Sequence, residues 1–381
     1  MSWGEITEET LAAAAELIGQ PLRRSRMQWI ETATRDAIRH FAWGIGDNNP
    51  LWLEPGHGAA SPAGTLLAPP CILYAIDATI VAPKLPGVQW IYAGTNWTWL
   101  DHIRVDDSFR VEAVLTDQEV KSGRRFARWV LQTGQVRYFN QRDELAATAT
   151  AKCARTPRGG ASSSDARQPG KSYRYDPDEL ADIERLVLAE ARQGGSPLYW
   201  EDIGVGDAVP AIIRGPLTIT DIIAWYAATQ GALHYGGAHG DALRYRQRHE
   251  DYHINTKTGA KDAAGRGHLD PETGRDVGMG GAYDVGPQRI SWAQTMLNNW
   301  IGDHGFLHKL NVSVRQPNMV GDTLWWSGEV TAKRQTGSAK VADIKLEARN
   351  QSDVMSAFGN AVVALPSRAN GPVPLPLQPG N

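Results

Sequence analysis

An internal duplication constrains this chain more than any other feature: both halves carry the same order of helical and strand patterns, so two copies of one unit have to fold and pack together. In the first half, Asp36-Ala-Ile-Arg-His-Phe-Ala-Trp-Gly-Ile-Gly46 spaces its apolar residues as a helix does. Asp221-Ile-Ile-Ala-Trp-Tyr-Ala-Ala-Thr-Gln-Gly231 repeats that pattern 185 positions later. A second helical pair stands at an offset of 218, Ala68-Pro-Pro-Cys-Ile-Leu-Tyr-Ala-Ile-Asp77 against Gly286-Pro-Gln-Arg-Ile-Ser-Trp-Ala-Gln-Thr295. Strand entries and turns repeat too: Val105-Asp-Asp-Ser-Phe109 with Val320-Gly-Asp-Thr-Leu324, and Asn140-Gln-Arg with Asn350-Gln-Ser. Each half therefore reads helix, loop, helix, then antiparallel strands whose apolar residues alternate, as in Phe109–Val114 and Trp325–Val330. That order predicts an α+β unit with a sheet wrapped around a helix.

The step between the two offsets (218 less 185) leaves 33 additional residues in the second half. They fall in Gly236–Gly281, rich in Gly, His, Asp and Arg and without apolar period, which predicts a long structureless loop of the kind that forms lids or binding loops. Thr156–Gly170 is small, polar and helix-breaking, and reads as a linker. The boundaries are thus 1–155 for the first unit, 156–196 for a linker with one helix, and 197–366 for the second unit, with 236–281 inserted. Residues 367–381, rich in Pro and Gly, are expected to be a loose tail.

Composition narrows the function. The formal charge of -3 argues against a nucleic-acid binder, which needs a basic surface. Two distant cysteines, Cys71 and Cys153, offer neither metal spacing nor a disulfide framework, and fit a reducing cytoplasm. The acidic start lacks a signal-peptide pattern, and no stretch approaches the ~20 apolar residues of a membrane span, so a cytoplasmic chain is expected. Fourteen tryptophans point to large apolar pockets or thick seams between units. His239, His249, His253 and His268 match no compact metal spacing, so no metal and no cofactor are expected.

The segment Phe41-Ala-Trp-Gly-Ile-Gly-Asp-Asn-Asn-Pro-Leu-Trp52 resembles the signature of MaoC-like hot-dog dehydratases and R-specific enoyl-CoA hydratases, in which a helix ends in Gly-Asp-x-Asn-Pro-Leu-His. Leu67–Ile76 resembles the opening of the long hot-dog helix, and Asn299-Trp-Ile-Gly-Asp303 and Arg315–Leu324 resemble its end and the next strand entry. The resemblance implies a double hot-dog fold and the addition or removal of water on an acyl thioester of coenzyme A or a carrier protein. It also implies a homodimer, or assembly with another hot-dog chain. Such chemistry needs a base for water, an acid for the α carbon and donors for the developing enolate.

Carried over residue by residue, Asp47 falls on the family's catalytic Asp and Asn49 on its orienting Asn, while Trp52 occupies the position of its His. An indole cannot exchange a proton, so the missing imidazole has to come from His57, His234 or His239, or Asp47 works alone, or the site only binds. In the second half, Ala232 stands opposite Asp47 and His234 opposite Asn49. Gly286, before a Pro at a helix start, is the candidate oxyanion donor, since free helix amides favour negative charge. The expected substrate-contacting residues are Trp52, His57, Tyr74, Trp292 and Arg289, with Arg315 and Lys309 as further candidates for coenzyme A phosphates. The bland alternatives are plain: Asp47 as a turn residue, Gly286 as a turn former, the arginines as solvated surface, His234 as a structural residue, and most tryptophans as core.

Overall fold

A computed structural model describes residues 4–22, 28–123, 126–157, 173–229 and 264–378, with scattered positions between 240 and 262. The first half holds α1 (Glu8–Ala15), α2 (Arg35–Gly44), α3 (Pro50–Leu53), α4 (Pro55–Ala60) and α5 (Leu73–Ile76). Its strands are β1 (Gln89–Trp99), β2 (Arg110–Lys121), β3 (Trp129–Phe139) and β4 (Leu145–Thr156). The second half opens with α6 (Pro177–Leu188), β5 (Ala208–Arg214) and α7 (Ile219–Thr229), then α8 (Pro271–Asp276) and α9 (Gly286–Ile301). It ends with β6 (Phe306–Val314), β7 (Leu324–Thr336), β8 (Ala339–Asn350) and β9 (Met355–Leu365). No described helix is long and apolar enough to cross a membrane.

All nine strands join one sheet in the order β2-β3-β4-β1-β6-β9-β8-β7-β5. The order is mirrored about the β1–β6 seam, where antiparallel pairs run from Gly94↔Ser313 to Thr98↔Lys309. Asn96 faces Asn311 at its middle, 215 positions on, the same offset that relates Val105 to Val320. Each half thus uses the other to cover a sheet edge that would otherwise expose unpaired backbone groups. The duplicated turns agree in atomic detail. The Asn140 side chain accepts from the backbone of Arg142 and Glu144, and Asn350 accepts from Ser352 and Val354. Asp143 and Asp353 take the same left-handed conformation, φ 59° and 56°. The outer edges match as well: β5 lies along β7, and the Ile18–Pro21 segment bridges to β2.

The symmetry fails at the helices. Fourteen of the sixteen residues of α9 are buried, so the helix is enclosed on all its faces. In the first half the equivalent helix is only a 3-10 turn, Pro70–Ile72, followed by the four residues of α5, which corrects the expectation of a long helix in each half. The chain beyond Asp77 carries Pro83 and Pro86 and left-handed residues at Thr79, Lys84 and Leu85, none compatible with a continuing helix. Aromatic side chains fill the space: Trp97 stacks on Trp99 at 5.2 Å, and Tyr74 meets Trp97 edge-on at 5.1 Å. Many of the tryptophans are core, as the composition implied.

Two other expectations change. Part of the inserted stretch is structured: Ala264–His268 forms a 3-10 turn, α8 follows, and His268 is half-buried with Nδ1 3.0 Å from the Tyr283 carbonyl. Removal from water pushes its pKa below the usual histidine value. The tail is anchored, not loose: Leu377 is buried and its N–H donates to the Leu100 carbonyl at 2.7 Å, while Arg368 pairs with Asp202.

Helices α2 and α7, the duplicated pair, pack against each other, with Phe41 meeting Trp225 edge-on at 6.0 Å. They approach at Gly44, where an added Cβ would lie 2.6 Å from the Ala228 Cβ and 2.9 Å from the Ala224 carbonyl oxygen. Gly44→Ala is therefore expected to destabilise the protein by about 1–3 kcal/mol through overpacking, read as a lower urea midpoint at unchanged slope.

Candidate active site at the junction of the halves

Asp47 is placed by local sequence chemistry. Gly46, φ 67°, lies just past the end of α2, and the N–H groups of Gly46 and Asp47 donate back to the Trp43 and Ala42 carbonyls at 3.1 and 2.8 Å, a glycine-capped helix end. Asp47 then turns the chain by accepting from the Asn49 N–H at 3.0 Å. Asn49 in turn caps α3, taking the Leu51 N–H at 3.0 Å ahead of Pro50 at the first helical position. The segment thus has the turn geometry its residues predict.

The Asp47 carboxylate is 1% exposed. Its Oδ2 accepts from Trp52 Nε1 and from the hydroxyl of Thr295 on α9, both at 3.1 Å. Burial holds its pKa above the usual carboxylate value, against the Asn49 N–H, the charge of Arg214 and the two side-chain donors. The segment and the second-half helix are therefore tied at one carboxylate.

Beside this tie lies a narrow cleft. Its apolar lining includes Leu51, Trp52, Leu67, Trp99, Ile103 and Phe306. Its polar lining is Asp101, His102 and Asn298. His102 lies edge-on to Phe306 at 5.1 Å, and burial pushes its pKa down to about 4. Sequence reading missed Asp101, His102 and Asn298, which fall in no motif and meet only through the fold.

At the end of α9, His57 Nε2 lies 2.7 Å from Asp303 Oδ2, joining α4 of one half to the turn of the other. Nearby α9 leaves buried polar atoms without a partner among the described residues: Asn298 Oδ1, both amide atoms of Asn299, and Asp303 Oδ1. Each such atom costs about 1–3 kcal/mol unless a ligand or water meets it.

The predicted residues scatter. Of the five expected substrate contacts only Trp52 lines the cleft. Tyr74 is buried, 3.4 Å from the Tyr92 hydroxyl, and Trp292 is buried on α9. Arg289 is corrected from a phosphate ligand to a structural residue. It is 1% exposed, donates to both Asp284 oxygens, and reaches the carbonyls of Gln316 and Ser356 at 2.6 and 2.9 Å. Gly286 sits against the Tyr92 ring, nine residues before Thr295, or about 14 Å along the helix. The structure does not bring it together with Asp47. His234 and His239 lie outside the described residues.

Comparison with known proteins follows this geometry. Residues 18–149 match the family model described as FAS1-like, dehydratase domain region. No curated protein sequence matches the chain. Among solved structures, one described as a MaoC-like dehydratase aligns with TM-score 0.61 at 13% identity, covering 92% of this chain and 99% of that one. A MaoC domain protein dehydratase from Chloroflexus aurantiacus aligns at TM-score 0.56 and 12% identity, over 92% and 96%. A Mycobacterium tuberculosis protein described as having a double hot-dog fold aligns at 0.54 and 14%, over 92% and 97%. At these identities the likeness shows the fold: the chain is a double hot-dog.

Two outcomes follow from the electrostatics. A carboxyl whose folded pKa is raised costs the fold stability as pH climbs from its unfolded value through the folded one. The melting-temperature difference between Asp47→Asn and wild type should therefore move in the variant's favour as pH rises from about 4 toward neutrality. Arg289→Met leaves Asp284 buried and unpaired, and should lower stability by about 3–5 kcal/mol in denaturant titration.

Proposed function

We propose that this double hot-dog chain, matched to a dehydratase-region model over its first half, adds water to or removes water from an acyl thioester. One observation carries the reading. The Gly46–Pro50 segment sets Asp47 against Thr295 of the hot-dog helix, at the junction of the halves and beside an apolar cleft. Trp52, Trp99 and Phe306 give the cleft an apolar wall against which an acyl chain would lie, with few polar groups to fix its orientation. A dry wall of this kind also keeps bulk water from an enolate as its charge develops. Asp47 and Asn49 hold the wall in place: the carboxylate accepts from Trp52 and Thr295, and Asn49 caps the helix that carries Trp52. The thioester carrier is coenzyme A or a carrier protein, and association with a second hot-dog chain belongs to the same proposal.

A second reading, an acyl-thioester-binding subunit without turnover, is favoured by Trp52. Its indole lies on Asp47 where the resembling enzymes carry an imidazole. The test separates the two. Purified protein is given short, long and branched enoyl-CoA thioesters while loss of enoyl absorbance is followed, and binding of saturated acyl-CoA is measured by calorimetry. Turnover is expected. Asp47→Asn should lower kcat/KM about 10-fold or more, because two donors lose their acceptor and about 1.4 kcal/mol is tenfold. Binding with no turnover selects the second reading, and neither sinks both.

A further inference from the structure

We infer that the reacting water sits in the cleft between His102 of the first half and Asn298 of the second, Asn298 holding it and His102 carrying its proton. The substrate comes from the hydro-lyase reading; the place comes from the cleft's own lining. Asp101, His102 and Asn298 are the polar side chains of that lining. Asp101 is engaged: the Arg104 guanidinium donates to both its oxygens at 3.0 and 3.1 Å, and the His102 N–H donates to Oδ1 at 2.7 Å. The indole N–H groups of the lining tryptophans are engaged too, Trp52 on Asp47 and Trp99 on the Pro70 carbonyl.

His102 and Asn298 have the opposite character. The His102 ring belongs to a half-buried residue and has no hydrogen-bond partner among the described residues. Asn298 is 8% exposed, and its Oδ1 is buried without a partner among those residues. A buried acceptor on a cleft wall calls for a donor from outside the chain, and water or a hydroxyl supplies one. Both residues are held in place from behind. The His102 carbonyl accepts from Arg104 Nη1 at 3.1 Å, the Ile103 carbonyl accepts from the Ala68 N–H at 2.8 Å, and the ring stands edge-on to Phe306, the first residue of β6. Asn298 lies three residues past Thr295 on α9, a spacing that puts both on one helix face. The Thr295–Asp47 contact thus fixes the face from which Asn298 meets the cleft.

Burial sets the protonation state the reaction needs. Pushed down to about 4, the His102 pKa leaves the ring neutral near pH 7, with a lone pair on one nitrogen. Two neighbouring charges also act on it: Asp101 favours the imidazolium and Arg104 opposes it. Asp101 is the other titratable side chain of the lining. Asn298 Oδ1 accepts one O–H of the water. The bare His102 nitrogen takes the other proton as the water oxygen bonds to the β carbon of an enoyl thioester. The C=C electron pair moves to the α carbon and thioester oxygen. The imidazolium, a strong acid in this dry setting, then delivers its proton to the α carbon. Water is added, the imidazole is regenerated, and the reverse sequence is the dehydration, with Asn298 accepting from the 3-hydroxyl.

The experiment compares wild type, His102→Gln, His102→Gly and Asn298→Leu on whichever thioester the wild type turns over. His102→Gln is expected to lose about 100-fold or more in kcat, with melting temperature and affinity for saturated acyl-CoA nearly unchanged. Added imidazole is expected to restore part of the activity of His102→Gly, which a purely structural role would not allow. Asn298→Leu, similar in size, removes an unmet acceptor: kcat should fall about 10-fold or more while the melting temperature holds or rises. An amide kept only for the fold would show the reverse. An active wild type whose His102→Gln variant stays within about threefold in kcat overturns this water site and leaves the hydro-lyase reading standing. So does an Asn298→Leu variant that keeps full turnover. A wild type inert on every thioester removes both.

Discussion

Burial of α9 on all its faces is the constraint on which the rest of the structure depends. A helix that is fully enclosed must satisfy every polar side chain it carries from neighbouring elements, since no water is at hand. Along this helix Gln288 donates to the Asp221 carbonyl, Arg289 pairs with Asp284, and Thr295 donates to Asp47. Those contacts reach α7, the segment just ahead of the helix and the first half in turn, so one helix fixes how the two halves meet. Gln288, Gln294, Asn298 and Asn299 each keep at least one side-chain atom without a partner among the described residues.

Two buried carboxylates that meet side chains of this helix show how environment separates roles. Asp284 faces a guanidinium and the amide of Asn318, so its charge is matched, and the pair serves as a strut. Asp47 meets neutral donors and only the distant charge of Arg214, so burial dominates and its proton is held more tightly. Burial acts in the cleft as well, where it lowers the basicity of His102.

Much of the fold was legible in the residues. The repeat of Asn140-Gln-Arg at Asn350-Gln-Ser stands for one turn built twice, with the same side chain capping the same backbone groups. The offset between Val105 and Val320 is the register of the seam. The Gly46–Pro50 string predicted a helix end, a turn and a new helix, because glycine, Asx and proline chemistry act within a few residues. The lost first-half helix was less visible: Ala68–Asp77 carries helical spacing, and its fate depends on prolines further along and on indoles from β1 that claim the space. Arg289 misled for a related reason. Its neighbours Asp284, Gln316 and Ser356 lie on three different segments, and only folding gathers them.

Sequence alone determined the duplicated α+β unit, the turn that holds Asp47 and the absence of an imidazole at position 52, since all of these are local or periodic properties of the chain. Tertiary structure decided which half keeps a central helix, that Asp47 answers to Thr295, and that His57 meets Asp303 across 246 positions. Such pairings are set by how the two halves of one sheet and one buried helix share volume, and no short stretch of residues encodes that.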